Sequence, residues 1–298
     1  MTPFVPSSAT ASHPHPELPP ALRSLLADVG VPPDALTTAG FVGPRRPVHR
    51  LLGGGLVVEV ASTDAGRLRL QRELWGREWA RQVGVRTVPI LGADRSGGWM
   101  VAEWWRPAPP AGAAFLDDAV ATALQIAGSP PPAPGPPPAH WRSPRRTAPI
   151  RLVRGLLGGV PTRLWLAARR AAATLPSVPV AHGDFYHRNA LWCPERGGVH
   201  VVDWEYLGPG RKHGDLLRLW TLLPDRADRD ALLHRILDLT PPDEHREVGT
   251  LALYLALRLL GENVKGSPAD RHRADLEHAR SIQPEARAVA LALDAWPE

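Results

Sequence analysis

The spacing of apolar residues changes along the 298-residue chain, and each change predicts a different kind of element. Leu22, Leu25 and Leu26 share one face of a short helix predicted over Pro20–Val29. Between Leu36 and Trp105 the period shortens. Val48, Leu52, Leu56, Val58 and Val60 fall in β-rich runs broken by Gly40-Phe-Val-Gly43 and Gly53-Gly-Gly55. An amphipathic helix is predicted over Gly66–Val83, its stripe formed by Leu68, Leu74, Trp75, Trp79 and Val83. Strand-like runs follow at Thr87–Leu91 and Trp99–Trp105, separated by Asp94-Arg-Ser-Gly-Gly98.

Beyond Trp105 the pattern is mostly helical. Arg106-Pro-Ala-Pro-Pro110 breaks the chain, and a helix is predicted over Ala113–Ala127. The tract 129–138 is too rich in proline for helix or central strand, because proline lacks an amide donor and fixes φ. It reads as a polyproline-like surface spacer. Helices are predicted over Arg151–Leu157 and Thr162–Thr174, then a hairpin over Trp192–Asp203 with a Pro/Gly turn. Tyr206-Leu-Gly-Pro-Gly210 reads as loop. A helix opens at Asp215, an acid where the helix dipole favours one. Further helices are expected over Arg229–Leu239, Asp243–Asn263, Pro268–Arg280 and Pro284–Ala295, with proline opening the last two. The division this implies is a disordered tail over 1–19, a strand-rich part over 20–105 and a helical part over 106–298.

Composition changes this picture little. Hydrophobic residues make up 44% and charged residues 22%, which is ordinary for a globular protein, whereas 34 prolines concentrate in a few tracts. The net charge of +5 comes almost wholly from arginine, Lys212 and Lys265 being the lysines. That skew carries no nucleic-acid signature of its own, and no nucleic-acid partner is expected. A lone Cys193 cannot form an internal disulfide and suits a reducing compartment. The N-terminus has no signal-peptide pattern and no apolar run is long enough to span a bilayer, so a cytoplasmic protein without membrane partners is expected. His13 and His15 in the polar tail read as incidental rather than as a metal site.

The chemistry concentrates in Val180-Ala-His-Gly-Asp-Phe-Tyr-His-Arg-Asn-Ala-Leu-Trp192 and Val201-Val-Asp-Trp-Glu205. Asp184 precedes Asn189 by five positions, and Asp203 follows fourteen later. Protein kinases place a catalytic base, a metal-binding Asn and a second metal-binding Asp in this order, written H-R-D-x-x-x-x-N and D-F-G. Here the forms are H-G-D-x-x-x-x-N and D-W-E. That variant resembles the aminoglycoside phosphotransferase and choline kinase superfamily of small-molecule kinases.

The resemblance implies an α+β, bilobal protein-kinase-like fold: a small antiparallel sheet with one helix, then a larger helical lobe. It implies ATP (or GTP) and Mg²⁺ as cofactors and a small-molecule acceptor bearing a hydroxyl. By the same resemblance Asp184 is the base, His182 holds its loop, and Asn189 and Asp203 bind the metal. Gly40 and Gly43 would belong to the mobile loop over the phosphates. The backbone of Glu103, Trp104 and Trp105 would face the adenine, and Asp215 would buttress the catalytic loop. The sequence names no protein partner.

One position departs from the family. The strand lysine that holds the α- and β-phosphates falls on Glu59 in Leu56-Val-Val-Glu-Val60, and no lysine precedes residue 212. Glu73 matches the helix glutamate that such a lysine pairs with. If Gly53-Gly54 form the turn, Arg50 lies opposite Val57 and diagonally near Glu59. Arg50 is thus a candidate cation for the phosphates, with Arg69 and Arg72 as others. The rival reading is a kinase-fold binding module with impaired nucleotide binding. A further alternative keeps the chemistry but takes a peptide Ser or Thr as acceptor. Between residues 243 and 298 ten acids oppose seven bases, which would suit a cationic acceptor.

Overall fold

Two adjacent glycines turn the hairpin on which the N-terminal sheet is built. The computed structural model describes residues 17–38, 47–136, 162–263 and 270–295. Strands β1 (Thr37–Thr38), β2 (Val48–Gly53), β3 (Leu56–Ala61), β4 (Ile90–Ala93) and β5 (Trp99–Glu103) form an antiparallel sheet in the order β1-β2-β3-β5-β4. Gly54 and Gly55 have φ of 56° and 74°. A two-residue hairpin turn with both φ positive is the conformation glycine adopts without steric cost.

The turn therefore sits one residue later than expected, and pairing shifts by two. Arg50 stands directly opposite Glu59, not opposite Val57. A two-residue shift keeps every side chain on its original face, so the hydrophobic pattern could not separate the two registers.

The chain divides into two compact units. One comprises residues up to Gln71 together with Pro89–Trp105; the other comprises Arg72–Val88 and everything from Arg106 onward. The core of the first is Leu51, Leu56, Val58, Val60 and Val101 on the sheet, packed with Leu22 and Leu26 of helix α1 (Pro20–Asp28) and with Leu36. Leu18 is buried in the same cluster, so the tail expected to bury nothing yields this one residue to the core among its described residues. Leu18 lies just before the helix, ahead of the extended Pro19 cap.

Helix α2 (Asp64–Gln82) starts with Thr63 as cap, its Oγ1 accepting the Gly66 N–H at 3.1 Å. The residues of α2 from Arg72 onward cluster with the second unit. The run expected as one strand at 87–91 is divided: Thr87 makes a lone parallel bridge to Val201, and β4 begins at Ile90.

The second unit holds helices α3 (Gly112–Gly128), α4 (Thr162–Thr174), α5 (Gly214–Leu222), α6 (Arg226–Asp238), α7 (His245–Asn263) and α8 (Asp270–Ala292). Between them lie two small antiparallel pairs. Strands β7 (Ala190–Cys193) and β8 (Gly198–Val201) form the expected hairpin. Strands β6 (Ser177–Ala181) and β9 (Gly208–Arg211) form the other, although 206–210 reads as loop in sequence. A two-stranded ribbon tolerates Pro209 because an edge position needs no amide donor.

Helix α8 runs through Pro284 where two helices were expected. Ala279, Ile282, Ala286 and Ala290 are fully buried at helical spacing, and α8 packs along α7. Continuous burial of that stripe outweighs the hydrogen bond Pro284 cannot donate.

The proline tract is a tethered strap where it is described. Trp79 Nε1 donates to Pro130 O at 3.0 Å, Trp75 Nε1 to Ala133 O at 3.2 Å and Arg72 Nη1 to Pro136 O at 2.6 Å. Residues 137–138 of the tract, His13, His15 and the predicted helix 151–157 lie outside the described residues.

Candidate active site

The loop after β6 is held by helix α5 from below. Asp215 Oδ2 accepts the His182 N–H at 2.7 Å and its Oδ1 the Gly183 N–H at 2.9 Å. Burial pushes the Asp215 carboxyl above the usual range, against the lowering effect of His182 and the two amides. Gly183 has φ of 83°, which explains glycine where protein kinases carry arginine.

His182 is fully buried, edge-on to Trp204 with centroids 4.8 Å apart. Its Nδ1 accepts the Asp184 N–H at 3.3 Å, so its Nε2–H donates to Val202 O at 3.1 Å. His182 thus ties the Asp184 loop to the strand end that precedes Asp203.

Asn189 closes the loop. Its Nδ2 donates to Asp184 O at 2.9 Å and lies 3.4 Å from Asp184 Oδ2. Its backbone carbonyl accepts the Val202 N–H at 2.8 Å, continuing the β7–β8 ladder. Asp184 is thereby joined to Asn189 by the amide, and Asn189 by the hairpin to Val202, the residue preceding Asp203. With Nδ2 committed, Oδ1 is the end of the amide suited to a cation. The Asn189 oxygen and the Asp203 carboxylate are hard donors of the kind Mg²⁺ takes.

Asp203 adopts the left-handed conformation, φ 65° and ψ 56°, which Asp tolerates better than most residues. Its N–H donates to Glu73 Oε1 at 3.3 Å. Glu73 pairs with Arg77 one turn along α2, Nε to Oε1 at 2.5 Å, both side chains being buried. Glu73 Oε2 is buried and accepts no hydrogen bond among the described residues. Arg77 in turn donates to Val88 O at 2.9 Å. Glu73, the match to the family's helix glutamate, has a cation from its own helix.

Arg72 is not available to phosphates. Its guanidinium donates to Glu205 O at 2.8 Å, Leu207 O at 2.9 Å and Pro136 O. It clamps the segment just beyond Asp203, and burial lowers its pKa despite the Glu205 charge.

In the first unit, Arg50 Nε donates to Glu59 Oε1 at 2.7 Å, with Nη2 at 2.5 Å. The amide hydrogens of Glu103 and Trp104 are committed to Pro89 O at 3.1 Å and Gly55 O at 2.7 Å. Neither can donate to another acceptor without breaking that bond. The Trp105 indole donates to Glu103 Oε2 at 2.6 Å, and the Trp104 side chain is half exposed. Gly40 and Gly43 lie outside the described residues.

Two site arginines escaped the sequence reading, Arg77 and Arg218. Arg218 Nη2 lies 3.1 Å from Asp184 Oδ1. Neither has a motif. Only the i, i+4 spacing of Glu73 and Arg77 was a signal. Beside Arg218, Tyr186 is pushed up to about 12, chiefly by burial and then by the Asp184 charge.

The chain belongs to the phosphotransferase enzyme family (APH), which it matches over residues 48–251. No curated protein matches it. Among solved structures it is similar to the microcompartment-associated aminopropanol kinase, at 14% identity and a TM-score of 0.59 over 89% of this chain and 95% of that one. It is similar to amicoumacin kinase in complex with AMP-PNP, Ca²⁺ and Ami, at 11% identity and 0.56 over 85% and 89%. Choline kinase LicA from Streptococcus pneumoniae gives 13% identity and 0.54 over 89% and 98%. At these identities the likeness is one of fold, an N-terminal antiparallel sheet followed by a helical part.

Proposed function

We propose that the protein is an ATP- or GTP-dependent, Mg²⁺-dependent phosphotransferase that moves the γ-phosphate to a hydroxyl of a small molecule. The supporting observation is the hydrogen-bonded chain from Asp184 through Asn189 to Val202, the residue before Asp203. Asp184 accepts the hydroxyl proton as the acceptor oxygen bonds to phosphorus. The bond from phosphorus to the bridging oxygen breaks, and its electron pair leaves with the nucleoside diphosphate. Asn189 Oδ1 and Asp203 would hold Mg²⁺, which when bound neutralises triphosphate charge. Asp215 and His182 fix the loop, and Glu73 fixes the Asp203 backbone.

A small-molecule acceptor is supported by what the structural neighbours are named for: aminopropanol, amicoumacin and choline. The acidic count of the C-terminal part gives less support for a cationic acceptor than it promised. Glu244 is ion-paired with Lys212, and Glu285 with Arg229 at 2.9 Å. A reducing compartment fits the buried Cys193 thiol. Among the described residues no helix is long and apolar enough to cross a membrane.

One observation favours a second reading, a kinase-fold binding module. Glu59 occupies the position of the family's strand lysine and is engaged by Arg50. A thermal-shift titration with ATP and Mg²⁺ separates the two. A ligand at 100 times its Kd stabilises the native state by about 2.7 kcal/mol, so the transferase reading expects a clear rise in Tm. No rise at millimolar nucleotide would leave only the module.

A further inference from the structure

Arg218 lies three residues after Asp215 on α5, on the face that grips the catalytic loop. Helix α5 therefore holds that loop at two levels. Asp215 takes the backbone amides of 182 and 183, and Arg218 takes the side chain of 184. Arg218 Nε is 3.2 Å and Nη2 3.1 Å from Asp184 Oδ1, while Asn189 Nδ2 approaches Oδ2 at 3.4 Å. The two carboxylate oxygens thus have different neighbours, and rotation about the carboxylate bond is blocked from both sides. Arg218 is 12% exposed and Asp184 20%, so the pair sits where water screens it weakly.

We propose that Arg218 is a positioning residue for phosphoryl transfer, acting through Asp184. The assignment rests on the phosphotransferase reading above. In the step it serves, the acceptor O–H bond breaks and its proton passes to Asp184. The acceptor oxygen bonds the γ-phosphorus, and the bond to the bridging oxygen breaks with its electrons going to the nucleoside diphosphate.

In a loose phosphoryl-transfer transition state the proton leaves late, so orientation counts for more than basicity. Misplacing a reacting group by about 1 Å can cost roughly 100-fold in rate. That is the effect Arg218 prevents. Its guanidinium also lies 5.9 Å from the Tyr186 ring, so a purely structural role must be separated from this one.

The experiment compares wild type, Arg218→Met, Arg218→Lys, Asp184→Asn and the Met/Asn double variant, all full length. Transfer from MgATP is read with water as acceptor and with a panel of polyols and amino alcohols, and folding is read by the MgADP thermal shift. Arg218→Met is expected to lower kcat roughly 10- to 100-fold with KM for MgATP within about twofold. Arg218→Lys should recover part of the loss, and Arg218→Met should cost nothing further in the Asp184→Asn background. A folded Arg218→Met with unchanged kcat, or losses that multiply in the double variant, would overturn the assignment while leaving the enzyme. Absence of transfer by wild type to every acceptor, water included, would instead remove the phosphotransferase reading and this inference with it.

Discussion

Arg50 and Glu59 face each other across β2 and β3, the guanidinium donating to a carboxylate that is 5% exposed. The Glu59 charge is therefore matched within its own sheet. Glu59→Lys, made alone, would set two cations directly opposite each other, which is destabilising in a sheet. The expected outcome is a loss of about 1–3 kcal/mol, between the values for exposed and buried pairs because Arg50 is half exposed. Arg50→Glu with Glu59→Lys should recover most of it, read by chemical denaturation.

Glu73 acts on Asp203 through its backbone rather than through a lysine. Glu73→Gln keeps the shape but weakens the charge-assisted bonds to the Asp203 amide and Arg77. Groups that orient a metal ligand typically contribute about 10- to 100-fold to metal affinity. Calorimetric titration of Mn²⁺ into the ADP-saturated protein should show a loss of roughly that size for Glu73→Gln. Glu59→Gln should leave it within about twofold.

Gly76 on α2 tests packing against helix propensity. Alanine there would gain about 1 kcal/mol of propensity. Its Cβ would meet Trp204 Cβ at 2.5 Å and Trp204 O at 3.0 Å, behind the Asp203 turn. Overpacking of that kind costs about 1–3 kcal/mol, so clash is expected to win. Gly76→Ala should lower Tm and weaken Mn²⁺ binding together.

His213 predicts the direction of pH dependence. Burial, and then the neighbouring Lys212, lower its pKa below the ordinary 6.5, while Glu244 opposes them. The unfolded chain takes the proton first as pH falls. The stability contributed by neutral His213 is therefore fully present above 6.5 and lost as pH falls through the folded value. His200 is lowered for the same reason of burial and adds the same sign. His213 has φ of 59°, a conformation Asn also tolerates. His213→Asn should flatten the loss of Tm between pH 6.5 and 5, on top of a pH-independent drop from losing the contact of His213 Nε2 with Thr240 Oγ1 at 3.1 Å.

The loop from His182 to Asn189 was legible because its chemistry is local: acid, amide and glycine sit within a few positions. The β7–β8 hairpin was legible from its Pro/Gly turn, and it carries Asn189 to Asp203. The hairpin at Gly53–Gly55 was only half legible, since registers two apart satisfy the same hydrophobic pattern. Arg77 and Arg218 were hidden because arginine on a helix is usually solvated, and only tertiary placement turns these two inward. Pro284 misled because burial of a continuous stripe outweighed a local breaker. Leu18 was missed because a lone apolar residue ahead of a helix carries no periodic signal, and only tertiary packing buries it.

Transfer by wild type and by Asp184→Asn, followed by ³¹P NMR of MgATP with the same acceptor, bears most directly on the role of the loop. General-base contributions are commonly about 10²- to 10⁴-fold, so Asp184→Asn should lose turnover by that range. Its affinity for MgATP should stay within about threefold of wild type. A variant that still transfers phosphate at near the wild-type rate would contradict the account.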